Sequence, residues 1–204
     1  MKAAVPTTLA NYSHWIFDLD GTLTVAVHDF AAIRRELEIP DGSDILDHLT
    51  ALPMHRAQPL HDRLQQIELE LAGVTQAAAG AFTLLEHLHG TGVLLGILTR
   101  NSRENALRTL ELIGLESFFN PDHVLGRDEA SPKPNPDGIH YLARLWGTGP
   151  ESTVMVGDYQ YDLQAGRSAG SLTVHVDTTC SFRWPDLADV SVTTLEELFV
   201  LIQP

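Results

Sequence analysis

Trp15-Ile16-Phe17-Asp18-Leu19-Asp20-Gly21-Thr22 is a short apolar run that stops at two carboxylates and a glycine. The apolar half reads as a buried strand, because a run without polar alternation leaves no face for water. In an extended segment side chains alternate, which puts Asp18 and Asp20 on one side of the backbone. Two adjacent carboxylates repel unless a cation lies between them or one holds a proton. Either arrangement supplies chemistry: one carboxylate attacks while the other gives and takes a proton. Gly21 permits a sharp turn and lets a ligand approach the backbone. In isolation, a solvated Asp-x-Asp-Gly turn satisfies the same pattern.

Similar runs recur downstream. Residues 93–98, 124–125, 153–156, 172–176 and 190–192 read as further strands, the last as an edge strand. Helical patterns fill most gaps. Phe82, Leu85 and Leu88 repeat at helical spacing before Gly90 and Gly92. Ser102 is placed to cap a helix carrying Ala106, Leu107, Leu110 and Ile113, with Gly114 at its end. Pro136 opens a helix through Ile139, Leu142 and Leu145; Leu163 and Ala165 lie on another, stopped by Gly170. Leu195, Leu198 and Ile202 mark the last. Strands alternating with helices predict an α/β fold, a Rossmann-like three-layer core with a mainly parallel sheet. Ligands of such sheets bind beyond the carboxyl ends of the strands, where Asp18, Thr99 and Asp158 all fall.

Residues 25–79 break the alternation and carry no convincing strand. Asp29 is expected to cap a helix bearing Phe30, Ile33 and Leu37, and residues 44–52 form a second short helix. After Pro59 the positions Leu60, Leu64, Ile67, Leu71 and Val74 advance by four, three, four and three, one apolar stripe on a long helix. The segment therefore reads as a small all-helical cap inserted after the first strand. Residues 1–24 and 80–204 then form the core, with hinges near 22–24 and Gly80.

Other stretches carry chemistry. Ile97-Leu98-Thr99-Arg100-Asn101 puts a hydroxyl at a strand end. Ser131-Pro132-Lys133-Pro134 confines a lysine between two prolines, where few backbone conformations remain. Val156-Gly157-Asp158-Tyr159-Gln160-Tyr161-Asp162 ends another strand in two carboxylates four apart, which one turn of helix would bring to one side. Carboxylate oxygens are the ligands Mg²⁺ prefers.

Taken in order along the whole chain, these four motifs resemble the haloacid dehalogenase superfamily, in its phosphatase branch. The resemblance implies Asp18 as a nucleophile that forms a phospho-aspartyl intermediate and Asp20 as general acid and base. It implies Thr99 and Lys133 as groups that bind the transferring phosphoryl. Mg²⁺ is expected on Asp18, Asp158 and the backbone carbonyl of Asp20. Gly21, Thr22, Arg100, Asn101 and Asp162 are expected to support the site or bind phosphate. Tyr159 stands where the family usually has a smaller residue, so a differently shaped metal-side loop is expected. The insertion resembles the cap of the phosphoglycolate phosphatase group, reduced in length. Its polar residues His28, Arg34, His55 and Arg56 are candidates for contact with a small phosphorylated metabolite.

Composition narrows the alternatives. Hydrophobic residues make up 44% and charged residues 20% of the 204, as expected for a packed domain. A net charge of −14 disfavours nucleic acid as a bulk ligand. The single cysteine, Cys180, rules out an internal disulfide and suits a reducing compartment. No segment reads as a signal peptide or a membrane span, so a cytoplasmic protein without a membrane partner is expected. The ten histidines form no zinc pattern. Oligomeric state, monomer or dimer, is left open. A phosphomutase, a 2-haloacid dehalogenase and a non-catalytic binding protein are the rival readings. Asp20 and Asp158 argue against dehalogenation, which needs neither a second acid nor a metal.

Overall fold

The computed structural model describes residues 9–203. Most of the N-terminal stretch expected not to be a signal peptide lies outside them. Six strands form one sheet: β1 (His14–Phe17), β2 (Leu94–Leu98), β3 (Val124–Leu125), β4 (Thr153–Gly157), β5 (Leu172–Val176) and β6 (Val190–Val192). Their spatial order is β3-β2-β1-β4-β5-β6, and every pairing is parallel. The α-helices among the described residues are α1 (Phe30–Glu36), α2 (Ile45–Thr50), α3 (Met54–Ala72), α4 (Ala81–Gly90), α5 (Arg103–Leu112), α6 (Asp137–Leu145), α7 (Gln160–Ala169) and α8 (Leu195–Ile202).

Strand β1 is central, and its side chains divide between two cores. Trp15 and Phe17 pack with α4, α5 and α8 through Leu84, Leu88, Leu110 and Leu198. Ile16 packs with Leu98, Met155, Ile139 and Leu142 on the other face, beneath α6 and α7. The period-two alternation of a doubly covered strand thus builds three layers. Register does the rest. Phe17 pairs with Ile97 on one side and Val156 on the other, so the residues after β1, β2 and β4 converge at one edge of the sheet.

Local signals act as their chemistry requires. Ser102 accepts from the Asn105 amide at 3.2 Å and caps α5, and Gly114 follows that helix at φ 73°. Asp29 and Asp44 cap α1 and α2 in the same way. Two helical expectations need correction. Phe82 is 54% exposed; α4 begins at Ala81, so its buried face is Ala81, Leu84, Leu85 and Leu88. The long helix α3 starts at Met54 and runs through Pro59. Proline removes one backbone hydrogen bond there, but burial of Ala57, Leu64 and Ile67 outweighs that single loss. Because α3 ends at Ala72, Val74 leaves the apolar stripe and is 67% exposed.

Helices α1 to α3 enclose a small core of their own, formed by Ile33, Leu37, Ile39, Ile45, Leu49, Leu64 and Ile67. The two chain segments leading to and from them zip together. The Val25 amide donates to the Gln76 carbonyl at 2.9 Å and the Ala78 amide to Leu23 at 2.8 Å, around an antiparallel bridge between Thr24 and Ala77.

Candidate active site

Asp18 is tied to the neighbouring strand by its amide, which donates to the Val156 carbonyl at 2.9 Å. Beyond it the chain stops being extended. Leu19–Leu23 coils into a turn closed by the Thr24 amide on the Leu19 carbonyl, and Gly21 adopts φ 91°. The simple alternation that places Asp18 and Asp20 side by side therefore does not apply. Asp20 instead turns toward β2, where its carboxylate accepts from the Asn101 side chain at 3.4 Å.

Gly21 is required twice over. Its positive φ strains any other residue, and a Cβ would collide with the Asp158 carboxylate. Gly21→Ala is expected to cost about 1–2 kcal/mol from backbone strain and to displace Asp158. The check is a denaturant titration together with the metal concentration needed for half-maximal activity. A variant unchanged in both would contradict this account.

Lys133 is the most deeply committed charge. It is 2% exposed, and its Nζ lies 2.6 Å from Asp18 Oδ1 and 2.6 Å from Asp162 Oδ1. Burial alone would lower its pKa; the two carboxylates outweigh that and push it up to about 12. The Lys133 carbonyl in turn accepts from the Arg100 guanidinium. The same guanidinium makes two 2.7 Å bonds to Asp44 at the start of α2 and lies 4.8 Å above the Tyr161 ring. Arg100 is thereby spent on the segment holding Lys133 and on the inserted helices.

Asp158 and Asp162 do not share a turn of helix, contrary to the spacing argument. Asp158 follows β4, Tyr159 is extended, and Asp162 sits in the first turn of α7, accepting from the Tyr159 amide at 3.0 Å. They meet because the chain doubles back over that amide. Asp18, Asp158 and Asp162 each offer an oxygen, all within 4.8 Å of one another. The Thr22 hydroxyl lies 3.3 Å from Asp18 Oδ2 and 3.5 Å from Asp158 Oδ1. Burial, and then the charges of Asp18 and Asp162, push Asp158 up to about 8. Burial likewise pushes Asp162 up to about 6 against the pull of Lys133. The expected set placed Asp18, Asp158 and the Asp20 carbonyl together; among the described side chains, the third carboxylate brought in is that of Asp162. Such crowding suits a hard divalent cation with oxygen ligands, so the residues present fit Mg²⁺.

Asp20 is pushed up by burial, pulled down by nearby His28 and pushed up again by Asp18. A raised carboxyl is suited to hold and release a proton. Thr99 is buried just after β2, its hydroxyl accepting from the Asn101 amide at 3.0 Å.

The four polar residues expected in the cap scatter. His28 stacks on Phe30 with ring centres 5.5 Å apart and lies close enough to influence Asp20. Arg34 has a buried Nε without a partner. His55 and Arg56 are exposed at the start of α3. Residues outside those expectations also surround the site. Glu68 of α3 pairs with Arg127 at 2.7 Å. His175 of β5 donates through Nε2 to the Asp158 carbonyl at 3.2 Å. Neither has a local sequence signal: Glu68 hides in the apolar stripe beside Ile67, and His175 in a strand.

A cavity of about 520 Å³ opens beside Gly21, Thr22 and Asp158, between the paired linkers and Trp184. Tyr159, the large residue expected to reshape this loop, packs edge-on against Trp184 at 5.1 Å and forms part of its wall.

Comparisons with known proteins agree with this architecture. The profile of the haloacid dehalogenase-like hydrolases matches residues 15–176. The uncharacterized hydrolase YOR131C of Saccharomyces cerevisiae is 31% identical over 195 residues, covering 92% of this chain and 89% of that protein. Pyrophosphatase PpaX of Halalkalibacterium halodurans is 36% identical over 182 residues, with 79% and 81% covered. Among solved structures, a predicted phosphoglycolate phosphatase from Haemophilus somnus superposes with a TM-score of 0.73 at 19% identity, over 94% of this chain and 98% of that one.

Proposed function

Since the chain belongs to the haloacid dehalogenase-like hydrolases, we propose that it is a Mg²⁺-dependent phosphatase that cleaves small phosphate monoesters, with Asp18 as nucleophile. The observation that carries this reading is Lys133, fully buried between Asp18 and Asp162 with Asp158 beside them. A lysine so held neutralises charge at one fixed point, which is what transfer of a phosphoryl group requires.

An Asp18 carboxylate oxygen attacks phosphorus as the bond to the leaving oxygen breaks, and protonated Asp20 delivers its proton to that oxygen. Water then attacks the phospho-aspartyl group, Asp20 takes the proton, and the bond from phosphorus to Asp18 breaks. Thr99 and Lys133 hold the equatorial oxygens. Asp162, with one oxygen on Lys133 and the other on the Tyr159 amide, positions the lysine. Asp18, Asp158 and the Asp20 carbonyl would hold Mg²⁺, which supplies charge neutralisation between phosphate and carboxylates. Residues 25–79 act as the cap and the remainder as the core. A reducing, cytoplasmic setting suits the lone exposed Cys180.

The test uses the purified chain with p-nitrophenyl phosphate. Hydrolysis should disappear in excess chelator and return with Mg²⁺; chelator-resistant release of halide from a 2-haloacid would favour a dehalogenase instead. Proton linkage offers a second check. Without metal, Asp158 near 8 is protonated at pH 7, while its unfolded value is near 4. The folded state then binds the extra proton, so metal-free stability should fall as pH rises from about 4 to about 8. Mg²⁺ binding at pH 7 should release close to one proton, measured by calorimetry in buffers of different ionisation enthalpy. Zero release would mean that Asp158 is already ionised at pH 7 before the metal binds.

A further inference from the structure

Glu68 is a glutamate of α3 set into the seam between the inserted helices and the core. Its side chain is 9% exposed, and Oε1 meets Arg127 Nη1 at 2.7 Å. Its other oxygen, Oε2, is buried and has no hydrogen-bond partner. A buried carboxylate oxygen without a donor carries a desolvation penalty, which persists only where something else supplies the donor. The place is specific. The Arg127 amide donates to the Asn101 carbonyl at 2.9 Å, and the Asn101 side chain donates to Asp20. Glu68 is therefore linked through two residues to the proposed general acid; burial pushes its pKa up, Arg127 pulls it down, and the charge of Asp20 raises it again. The leaving group of a bound ester is the part of the substrate that lies next to that acid.

We propose that Glu68 is a specificity-determining residue whose Oε2 accepts a hydrogen bond from a hydroxyl or ammonium of the leaving group. The inference rests on the phosphatase reading above. It selects esters of uncharged polyols or amino alcohols and rejects leaving groups that are themselves anions. A carboxylate or second phosphate placed there would face the Glu68 carboxylate, whose charged form the ion pair with Arg127 favours, in a buried seam that screens repulsion poorly. Arg127 Nη1 is already shared between Glu68 and the Arg100 carbonyl. This departs from the activities named for relatives: a pyrophosphatase expels phosphate and a phosphoglycolate phosphatase expels glycolate, and both leaving groups are anions.

The experiment compares kcat/KM for glycerol 1-phosphate, 2-phosphoglycolate and inorganic pyrophosphate with Mg²⁺, using p-nitrophenyl phosphate as a check of the chemistry. The parent should favour glycerol 1-phosphate over phosphoglycolate by about tenfold or more, the scale of one charged hydrogen bond. In Glu68→Gln that ratio should fall by about tenfold, because the amide keeps an acceptor but adds a donor for anions. A ratio cancels any general loss of activity. Glu68→Asp, which retains the charge, should keep the parent's order. A parent that hydrolyses p-nitrophenyl phosphate but prefers either anionic ester would overturn the inference and leave the phosphatase reading standing. So would an unchanged ratio in a folded Glu68→Gln. Failure to hydrolyse any ester would sink both.

Discussion

Asp18→Asn is expected to lower kcat for phosphate-ester hydrolysis by about ten-thousand-fold or more, the scale seen when a covalent nucleophile is removed. An amide oxygen attacks phosphorus poorly, and no described side chain stands ready to take its place. The fold should survive. Lys133 keeps its 2.6 Å partner Asp162, and the amide oxygen of the variant can still accept from Nζ. Stability should even rise at alkaline pH. In the parent, the charge of Asp18 helps push Asp158 up to about 8. Without that charge the Asp158 pKa falls toward its unfolded value. The stability that the metal-free parent loses between about pH 4 and 8 is then lost less. Single-turnover kinetics and thermal melts at pH 6 and pH 8 provide the check, with mass spectrometry to exclude deamidation back to aspartate. Parent-like turnover in a verified variant would remove Asp18 from the chemistry.

Lys133→Met should be the most damaging change to stability. It leaves Asp18 and Asp162 facing each other in a site closed to water, with their common cation gone. Removing one member of a buried charge cluster costs about 3–5 kcal/mol. The loss should depend on pH in a definite direction. Lys133 opposes the upward push of burial on Asp162, so without it the Asp162 carboxyl titrates still higher above its unfolded value. The folded variant therefore holds protons that the unfolded chain lacks, and its stability falls as pH rises. Urea titrations at pH 5 and pH 8 should show the larger deficit at pH 8, and kcat should fall by at least about a thousandfold. Equal stability of variant and parent at pH 8 would mean that the lysine is not the charge holding the cluster together.

The candidate groups that follow a recognisable strand are legible in the sequence, whereas Lys133, in the loop between β3 and α6, is marked by its two flanking prolines. Asp18, Thr99 and Asp158 follow buried apolar runs, and parallel strands bring their carboxyl ends to one edge whatever the intervening chain does. Helix stops and starts at Ser102, Gly114 and Gly170 were equally local, being matters of capping and of backbone conformation. The long helix of the cap is visible as a stripe, but Pro59 looks like its boundary, whereas the helix starts at Met54. Tertiary burial tolerates one lost hydrogen bond, and no pattern within the segment announces that.

The order of the strands along the chain, the inserted helices and the candidate positions can thus be read from the chain alone. These depend on periodicity, on residue type and on neighbours a few positions away. Which charges face one another emerges only with the fold. Lys133 lies 115 positions from Asp18, Arg127 is 59 from Glu68 and Arg100 is 56 from Asp44. The turn at Gly21, not strand alternation, aims Asp20 at Asn101, and the doubling back at Tyr159, not a helical turn, brings Asp162 to Lys133. Coulomb forces in a dry site act on distance in space alone. Distance along the chain carries no trace of it until the backbone has folded.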